Sequence, residues 1–339
     1  MTDTALPVLT RKDFTSDQEV RWCPGCGDYS ILAQTQKTMP DFGVPRENIV
    51  FISGIGCSGR LPYYMNTYGF HTIHGRAPAF ATGLKSTRPD LSVWMITGDG
   101  DALSIGGNHF IHTLRRNVDI KILLLNNRIY GLTKGQYSPT SEVGKKTKST
   151  PMGSIDHPFV PAQLALGAGG TCVIRSVDVF AQHLRDAVTA AAHHTGTAFL
   201  EIYQNCNIFN DGAFDHFTEK EVRDDRCLFV EHGKPLVWGA SKRWGLRMNG
   251  TALEIAEISD SFTEADALIH DKGNLSVAQL LAGLDPADGQ PVALGVLYQT
   301  ERPTYDHEFQ AQVQTARARL GAGDLTQLLR GEETWTIGS

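Results

Sequence analysis

Apolar and polar residues are grouped along the first two thirds of the chain in blocks that predict strands and helices in alternation. Five short apolar runs are bounded by Gly, Asn or Asp, as is typical of strands buried on both faces of a parallel sheet. Segments with apolar residues at helical spacing lie between them, among them HFIHTLRRN and FAQHLRDAVTAAAHH. This order predicts an α/β fold with a doubly wound, mostly parallel sheet. The predicted strands are residues 48–53, 91–98, 120–127, 171–177 and 197–205.

The character of the sequence divides the chain into three parts. Residues 1–20 are polar and of mixed charge, and we expect an N-terminal arm. Residues 21–229 contain the alternating blocks and are expected to form one domain, while residues 230–339 are expected to be a C-terminal extension that packs on the core or on a partner subunit. Between Asn127 and Pro161 lies a long polar stretch with little periodicity. A loop of that length inside a compact domain is usually functional or mobile.

Composition excludes several classes of function. The 339 residues have a net charge of −6 at pH 7, which argues against a nucleic-acid-binding protein. No apolar run approaches the roughly 18 residues of a membrane-spanning helix, and residues 1–20 do not resemble a secretory signal. We therefore expect a cytoplasmic protein that binds neither nucleic acid nor membrane. In that compartment its six cysteines are expected to be thiolates, ligands or buried thiols rather than disulfides.

The turn SGIGCSG contains Gly54, Gly56 and Gly59, a formal G-x-G-x-x-G after a predicted strand. A dinucleotide-binding fold would add an acidic residue about 20 positions further on, but residues 48–89 contain none, and Pro62 opposes a helix that begins at these glycines. We therefore do not expect a nicotinamide or flavin site. The acid-free stretch instead favours a ligand with phosphate or carboxylate groups, because its charged residues are Arg60, His71, His74, Arg76, Lys85 and Arg88.

A more specific motif, GDGDALSIGG, begins at the end of the second predicted strand. It places Asp99 at the carboxyl edge of the sheet, where ligands of α/β proteins bind, and Asn126 and Asn127 end the next predicted strand. Carboxylate, amide and carbonyl oxygens are ligands that Mg²⁺ prefers, with phosphate oxygens completing the site. The pattern resembles the thiamine diphosphate motif, in which GDG is followed one strand later by an asparagine-containing pair. That resemblance implies that Asp99, Asn127 and the carbonyl of Ile129 hold Mg²⁺.

Four of the cysteines suggest a second site. Cys23 and Cys26 form a C-x-x-C pair, which alone fits a redox dithiol, half of a zinc site or half of an iron-sulfur site. Cys57 lies in the glycine turn and Cys206 follows the last predicted strand, and a dithiol would need neither. Four thiolates bind zinc or an iron-sulfur cluster, although zinc sites more commonly use two close pairs. Of the other two, Cys172 is expected in the core and Cys227 is not expected to be functional.

Six segments together resemble the β subunits of the 2-oxoacid:ferredoxin oxidoreductases: WCPGCGDY, SGIGCSG, HTIHGRAPAFATG, GDGDALSIGGNHFIHTLRRN, NNRIYGLTKGQYSPTS and EIYQNCNIFNDGAF. The resemblance covers about residues 20–235 and is strongest to the two-subunit type that acts on 2-oxoglutarate. It implies that Cys23, Cys26, Cys57 and Cys206 ligate one 4Fe-4S cluster, so that residues 21–229 bind both this cluster and thiamine diphosphate. The implied cofactor contacts are Ile55, Gly56, Cys57, Ser58, His74, Gly75, Arg76, Gly98, Gly100, Asp101, Gly131 and Leu132.

The resemblance also implies a reaction and partners. The reaction is the reversible, coenzyme A-dependent oxidative decarboxylation of 2-oxoglutarate to succinyl-CoA and CO₂, with electrons passing through the cluster to a separate ferredoxin. Only the diphosphate-binding domain is recognisable, so the pyrimidine-binding domain and its catalytic glutamate are expected on an α subunit, in an αβ or (αβ)₂ assembly. Lys134 is expected to reach the 2-oxoacid carboxylate, and His74 and Arg76 are expected to contact cofactor or substrate.

Three alternatives remain open at this point. The same chemistry could act on pyruvate or another 2-oxoacid. A thiamine-dependent decarboxylase subunit without a redox step could use the four cysteines as a structural zinc site. A noncatalytic binding subunit stabilised by zinc would belong to a third class.

Overall fold

An eight-stranded sheet forms the centre of the protein, whose computed structural model describes residues 9–335, 337 and 338. The first eight residues of the expected N-terminal arm lie outside the described residues. In chain order the strands are β1 (Ile49–Ser53), β2 (Tyr68–His71), β3 (Ser92–Gly98), β4 (Ile120–Asn126), β5 (Cys172–Val177), β6 (Ala198–Tyr203), β7 (Cys227–Val230), β8 (Val237–Trp238), β9 (Trp244–Asn249), β10 (Ala252–Glu257) and β11 (Val292–Gln299). The spatial order of the large sheet is β2-β1-β3-β4-β6-β5-β11-β7.

Helices cover both faces of this sheet and enclose two apolar clusters. In chain order they are α1 (Asp28–Thr38), α2 (Leu61–Tyr64), α3 (Ala77–Thr87), α4 (Asp99–Leu103), α5 (Gly107–Arg116), α6 (Pro161–Gly167), α7 (Ala181–His193), α8 (Asp215–Thr218), α9 (Arg223–Arg226), α10 (Leu275–Ala282), α11 (Tyr305–Leu320) and α12 (Leu325–Arg330). Helices α1 and α7 pack on one face, and α3, α5, α6 and α10 contribute to the cluster on the other. Among the described residues, none of these helices has the length and apolarity that crossing a membrane requires.

The α/β fold class with a mostly parallel sheet is confirmed. The five predicted strands correspond to β1, β3, β4, β5 and β6, and every residue of β1, β4, β5 and β6 is buried. Continuous apolar runs form these strands because helices cover them on both sides. The apolar pattern does not reveal β2, since all four of its residues are exposed at the edge of the sheet.

Residues 230–339 contribute to the main sheet as well as to its surroundings. Strand β11 lies between β5 and β7, antiparallel to the first and parallel to the second. Strands β8, β9 and β10 form a separate three-stranded antiparallel sheet. The expected division between residues 229 and 230 falls within β7, and the sheet continues across it.

The expectation that Pro62 prevents a helix after the glycine turn is wrong. A 3₁₀ turn at Ser58–Arg60 leads directly into α2, and Pro62 occupies the first turn of that helix. The first-turn amides of a helix have no partner within it, so a proline there removes no hydrogen bond.

Two charged residues of the acid-free stretch, Lys85 and Arg88, pair with carboxylates of this chain instead of lining the cavity. Lys85 is buried, and its ammonium lies 3.0 Å from an oxygen of Asp119, while Lys121 approaches the other oxygen at 2.7 Å. Arg88 pairs instead with Asp90 on the surface. Lys85 is therefore a structural cation that neutralises Asp119 together with Lys121.

Replacing Asp119 with asparagine is expected to destabilise the fold. The side chains of Lys85 and Lys121 are only 5% and 8% exposed, so loss of their shared counter-ion leaves two buried charges. We expect a loss of about 2–3 kcal/mol in the free energy of unfolding, below the full cost for a buried pair because Asp119 is partly exposed. Urea unfolding at neutral pH measures it, with the surface variant Asp90→Asn as the matched control. Equal stability of the two variants would contradict this account.

The contacts of Asp119 with Lys85 and Lys121 also predict how stability depends on pH. Burial raises the pKa of Asp119, but Lys121 and Lys85 outweigh that effect and lower it from 3.8 to about 2. Because the folded-state pKa lies below the unfolded one, the stabilisation is complete above pH 3.8 and is lost as the pH falls through about 2.

Candidate active site

A cavity of about 540 Å³ opens at the carboxyl ends of β1, β3 and β4. This edge is where α/β proteins bind ligands. Most residues that the sequence assigns to the cofactor lie around it, although Gly75, Arg76 and Lys134 do not line it. The assigned residues that line it are Ile55, Gly56, Cys57, Ser58, His74, Gly98, Asp99, Gly100, Asp101, Asn127, Ile129, Gly131 and Leu132.

Asp99 begins α4 directly after β3 and is only 2% exposed. Its Oδ2 accepts hydrogen bonds of 2.5 Å from the hydroxyls of Ser138 and Thr140. Burial raises the pKa of Asp99, although the two hydroxyls oppose this effect. A buried carboxylate of this kind gains from a nearby cation, which is the environment that a metal ion supplies.

The two asparagines that follow β4 have different surroundings. Asn126 is buried, where it donates to Glu201 and accepts from Thr140. Asn127 lines the cavity, and its Oδ1 accepts from the amide of Ile129 at 3.2 Å. Asn127 is therefore the asparagine that can present an oxygen to a ligand in the cavity.

The backbone that follows Asn127 is held in an unusual conformation. Arg128 has a φ of 55°, which non-glycine residues seldom adopt. The carbonyl of Asn127 accepts from Asn210, and that of Arg128 accepts from Ser141 at 2.6 Å. Within the described part of the chain, no group donates to the carbonyl of Ile129. That carbonyl is available as a ligand.

Asp101 joins two turns at the mouth of the cavity. Its Oδ1 accepts from the amides of Ile55 at 3.0 Å and Gly75 at 2.8 Å, and its Oδ2 accepts from the hydroxyl of Thr97. The turn that contains Cys57 and the turn that contains His74 are thereby attached to one buried carboxylate. Asp101 lines the cavity, but its oxygens are occupied by these contacts.

The second glycine of the GDG motif, Gly100, is required because it lies against the aromatic ring of Tyr130. A Cβ on Gly100 would lie 2.1 Å from that ring, and the hydroxyl of Tyr130 donates to the carbonyl of Gly100 at 3.1 Å. A side chain at position 100 would therefore displace Tyr130 and narrow the cavity.

Two of the four predicted cluster ligands, Cys57 and Cys206, have their sulfurs close together beside this cavity. A Cβ placed on Gly131 would lie 3.5 Å from the sulfur of Cys206 and 3.7 Å from that of Cys57. Cys26 is close enough to both for their charges to raise its pKa, and Cys23 has the same influence on Cys57. All six cysteines are free thiols, and Cys172 and Cys227 are buried elsewhere.

Backbone contacts hold the cysteine turns in place. The amide of Cys26 donates to the carbonyl of Cys23 at 3.0 Å, in a turn where Gly25 has a φ of 84°. The indole of Trp22 donates to the carbonyl of Cys57 at 2.8 Å, and Asn207 donates to the carbonyl of Pro24 at 2.6 Å. These hydrogen bonds connect the segments that contain Cys26, Cys57 and Asn207.

The environment of these thiols favours a positive partner. Burial raises the pKa of Cys57 to about 12 and raises that of Cys26 further. Both are therefore neutral at physiological pH unless a metal centre removes their protons, as metal coordination does. In the part of the chain that the structure describes, no three His, Cys, Asp or Glu side chains converge tightly enough to ligate one ion.

Of the three predicted substrate contacts, His74 is the one that lines the cavity, where it is exposed. The guanidinium of Arg76 donates to the carbonyl of Ile105 at 3.2 Å. Lys134 is exposed with a φ of 76°, two residues beyond Leu132, which lines the cavity.

Asp28 is a further acidic residue that lines the cavity, and no sequence motif assigns it a role. It is 1% exposed, and neither of its oxygens has a hydrogen-bond partner among the described residues. Burial, and secondly the charge of Asp178, raise its pKa to about 7. Its position directly after WCPGCG is the signal that could have identified it.

Sequence motifs also assigned no role to several other residues of the site. Ser138 and Thr140 contact Asp99 from the long polar stretch, and the hydroxyl-rich segment SPTS is the signal that could have identified them. Gln204 and Tyr130 also line the cavity, and they lie in the segments EIYQNCNIFNDGAF and NNRIYGLTKGQYSPTS, which assigned them no role.

Comparison with known proteins identifies the family. The protein-family model described as thiamine pyrophosphate enzyme, C-terminal TPP binding domain, matches residues 54–202. The chain is 36% identical to 2-oxoacid:ferredoxin oxidoreductase 1, subunit beta, of Aeropyrum pernix, over 80% of this chain and 89% of that protein. It is 56% identical to 2-oxoglutarate oxidoreductase subunit KorB of Mycobacterium tuberculosis, over 96% of this chain and 88% of that protein. The chain belongs to the β subunits of the 2-oxoacid:ferredoxin oxidoreductases.

A solved structure of this oxidoreductase family has the same fold. It is the 2-oxoglutarate:ferredoxin oxidoreductase from Magnetococcus marinus with 2-oxoglutarate, coenzyme A and succinyl-CoA bound, and it superposes with a TM-score of 0.75 and 32% identity. The match covers 96% of this chain and 97% of that one. The resemblance inferred from the motifs is confirmed, and the region around Asp99 and Asn127 is a thiamine diphosphate-binding domain of an oxidoreductase β subunit.

Proposed function

We propose that this chain is the β subunit of a coenzyme A-dependent 2-oxoglutarate:ferredoxin oxidoreductase with Mg²⁺, thiamine diphosphate and one 4Fe-4S cluster. One observation carries the proposal: the turn that contains Cys57 lines the same cavity as Asp99 and Asn127. A redox centre at the cysteines would therefore lie beside the place where the substrate carbon reacts. The name and bound ligands of the Magnetococcus marinus structure and the name of the Mycobacterium tuberculosis relative support 2-oxoglutarate as the substrate.

The residues present fit a magnesium diphosphate. Asp99, Asn127 and the free carbonyl of Ile129 would supply three oxygen ligands of the kind Mg²⁺ prefers. Gly98 and Gly100 form part of the neighbouring wall of the cavity. When bound, thiamine diphosphate supplies an electron sink that makes loss of CO₂ from a 2-oxoacid possible.

The four thiols fit an iron-sulfur cube better than a single ion. A zinc ion requires its sulfurs within about 2.3 Å of one point, whereas in a cube each thiolate binds a different iron and the sulfurs stay further apart. The sulfurs of Cys57 and Cys206 converge beside Gly131. Besides burial, Cys57 and Cys206 raise the pKa of Cys26, and Cys23 raises that of Cys57, as neighbouring thiolates do. When bound, the cluster transfers electrons singly.

The proposed reaction balances. The bond between C1 and C2 of 2-oxoglutarate breaks, and C1 leaves as CO₂. C2 bonds to the sulfur of coenzyme A, whose proton is released. Two electrons pass one at a time to two ferredoxin molecules. The reverse reaction carboxylates succinyl-CoA and consumes two reduced ferredoxins.

The cavity supports the need for an α subunit. The acidic residues that line its described part are Asp28, Asp99 and Asp101, and no glutamate is among them. The family resemblance implies that the glutamate which activates the cofactor, and the domain that holds the pyrimidine ring, come from that subunit. We propose an αβ or (αβ)₂ assembly. The proposed location is the cytoplasm, which six free thiols support.

The proposed function is tested by purifying this chain anaerobically, alone and with its α subunit. Coenzyme A-dependent reduction of a viologen dye is then measured with a panel of 2-oxoacids. We expect no turnover by the chain alone, and turnover by the complex that is fastest with 2-oxoglutarate. If 2-oxoglutarate is the poorest substrate, another 2-oxoacid is the substrate. A colourless zinc protein that releases CO₂ without reducing the dye is a decarboxylase.

Lys134 is proposed to bind the carboxylate of the 2-oxoacid, because it is an exposed cation two residues beyond Leu132, which lines the cavity. Lys134→Met keeps an unbranched side chain one atom shorter and removes its charge. We expect KM for 2-oxoglutarate to rise about 10- to 100-fold, the value of one charge-assisted hydrogen bond, with a smaller change in kcat. Lys148→Met, an exposed lysine of the same polar stretch, is the control. A KM within twofold of the unsubstituted complex would remove Lys134 from the substrate site.

A further inference from the structure

Gln204 lies between the proposed magnesium ligand Asn127 and the proposed cluster ligand Cys26. It follows β6, is 1% exposed and lines the cavity. Its Oε1 accepts from Nδ2 of Asn127 at 2.9 Å, and its Nε2 lies 3.4 Å from the sulfur of Cys26. One amide side chain therefore contacts both parts of the site.

Backbone groups at both ends set the direction of these hydrogen bonds. The amide of Ile129 can only donate, and it donates to Oδ1 of Asn127, so Nδ2 of Asn127 faces Gln204. The carbonyl of Asn205 can only accept, and it accepts from Nε2 of Gln204. The nitrogen of Gln204 is therefore on the side of Cys26, and the reversed orientation would oppose two donors at Asn127 and two acceptors at Asn205.

We infer that Gln204 is a positioning residue that orients Asn127 toward Mg²⁺ and donates a hydrogen bond to the cluster sulfur of Cys26. This inference rests on the proposed function. A donor to a cluster sulfur stabilises the extra negative charge of the reduced state, and such hydrogen bonds are among the factors that set cluster potentials. An outer residue that orients a metal ligand typically affects metal affinity by 10- to 100-fold.

Two substitutions separate the two contacts in the complex with the α subunit. Gln204→Leu removes both of them. Gln204→Glu keeps an oxygen that accepts from Asn127 and removes the donor to sulfur. Gln163→Leu is the matched control, because Gln163 contacts α10 instead of the cavity.

Two measurements read the two contacts. A redox titration followed by electron paramagnetic resonance gives the cluster potential, and fluorescence quenching gives the affinity for Mg²⁺ with thiamine diphosphate. Gln204→Leu is expected to shift the potential to a more negative value and to weaken cofactor binding about 10-fold or more. Gln204→Glu is expected to shift the potential in the same direction, while cofactor binding stays within threefold. This variant also tests the inference if the Gln204→Leu complex does not assemble.

The outcomes distinguish this inference from the proposed function. An unsubstituted complex that has no cluster would overturn the proposed function and, with it, the role of Gln204. A complex with a full cluster whose potential is the same with glutamine, glutamate or leucine at position 204 would overturn only the role of Gln204.

Discussion

Asp99→Asn in the complex with the α subunit is expected to lower turnover more than about 100-fold, because residues that only orient a metal ligand already affect metal affinity by 10- to 100-fold. Asparagine keeps an oxygen that can accept from Ser138 and Thr140. It lacks the charge that compensates Mg²⁺ and the diphosphate. Binding of Mg²⁺ with thiamine diphosphate, measured by fluorescence quenching, is expected to fall in parallel with turnover.

The fold of the Asp99→Asn variant is expected to remain intact. Burial raises the pKa of Asp99, which means that the ionised carboxylate is unfavourable in the cofactor-free chain. The neutral amide removes that cost, so the free energy of unfolding without cofactor should be equal or higher. Cluster content should also be unchanged, and Asp90→Asn on the surface serves as the control for both measurements. Normal cofactor affinity of the Asp99→Asn complex would contradict the assignment of this residue.

Cys57→Ser is expected to abolish electron transfer while sparing diphosphate binding. The side chain of Cys57 approaches Cys206 beside Gly131, so its loss removes one of four cluster ligands. The visible absorbance of the anaerobic complex should fall, and dye reduction should become undetectable. The contacts of Asp99 with Ser138 and Thr140 do not involve this residue, so affinity for Mg²⁺ with thiamine diphosphate is expected to stay within threefold.

Two further variants make the cysteine experiment specific. Cys23→Ser should reproduce the effects of Cys57→Ser, although Cys23 is the exposed member of the set. Cys172→Ala should retain both cluster and activity, because this thiol is buried in β5 away from the cavity. If Cys57→Ser keeps a full cluster and dye reduction, the four-cysteine assignment is wrong.

Local sequence signals predicted the part of the fold that depends on local burial. The apolar runs of β1, β3, β4, β5 and β6 are visible because helices cover these strands on both faces. Strand β2 has four exposed residues and therefore no apolar run. Strand β11 joins the sheet between β5 and β7 from about 60 residues beyond β7, and pairings at such sequence distance leave no local pattern.

Some residues of the candidate site were likewise visible in local sequence motifs, and others were not. Asp99 and Asn127 follow strand ends, and together with the four cysteines they lie in the motifs that carry the family resemblance, so the sequence could propose them as site residues. Ser138 and Thr140 reach Asp99 from 39 and 41 residues further along the chain, through a loop without periodicity. Gln204 contacts Cys26 across 178 residues. Contacts of this kind exist only after the fold brings separate strand ends together.

The six charged residues of the acid-free stretch do not share one role. Their shared sign suggested a common ligand, but Lys85 neutralises Asp119 inside the fold and Arg88 pairs with Asp90. His74 is the member of that set that lines the cavity. Charge along the sequence could not distinguish these roles, because the partner carboxylates follow the stretch instead of lying within it.

We propose that electrons from the substrate enter a cluster held by Cys23, Cys26, Cys57 and Cys206 beside the cofactor held by Asp99 and Asn127. The most direct test is electron paramagnetic resonance of the anaerobic complex after addition of 2-oxoglutarate and coenzyme A, without any other reductant. We predict a reduced 4Fe-4S signal in the unsubstituted complex and none in the Asp99→Asn complex, whose cluster is still reduced by dithionite. A complex that converts 2-oxoglutarate to succinyl-CoA while no cluster signal develops under any condition would contradict the account.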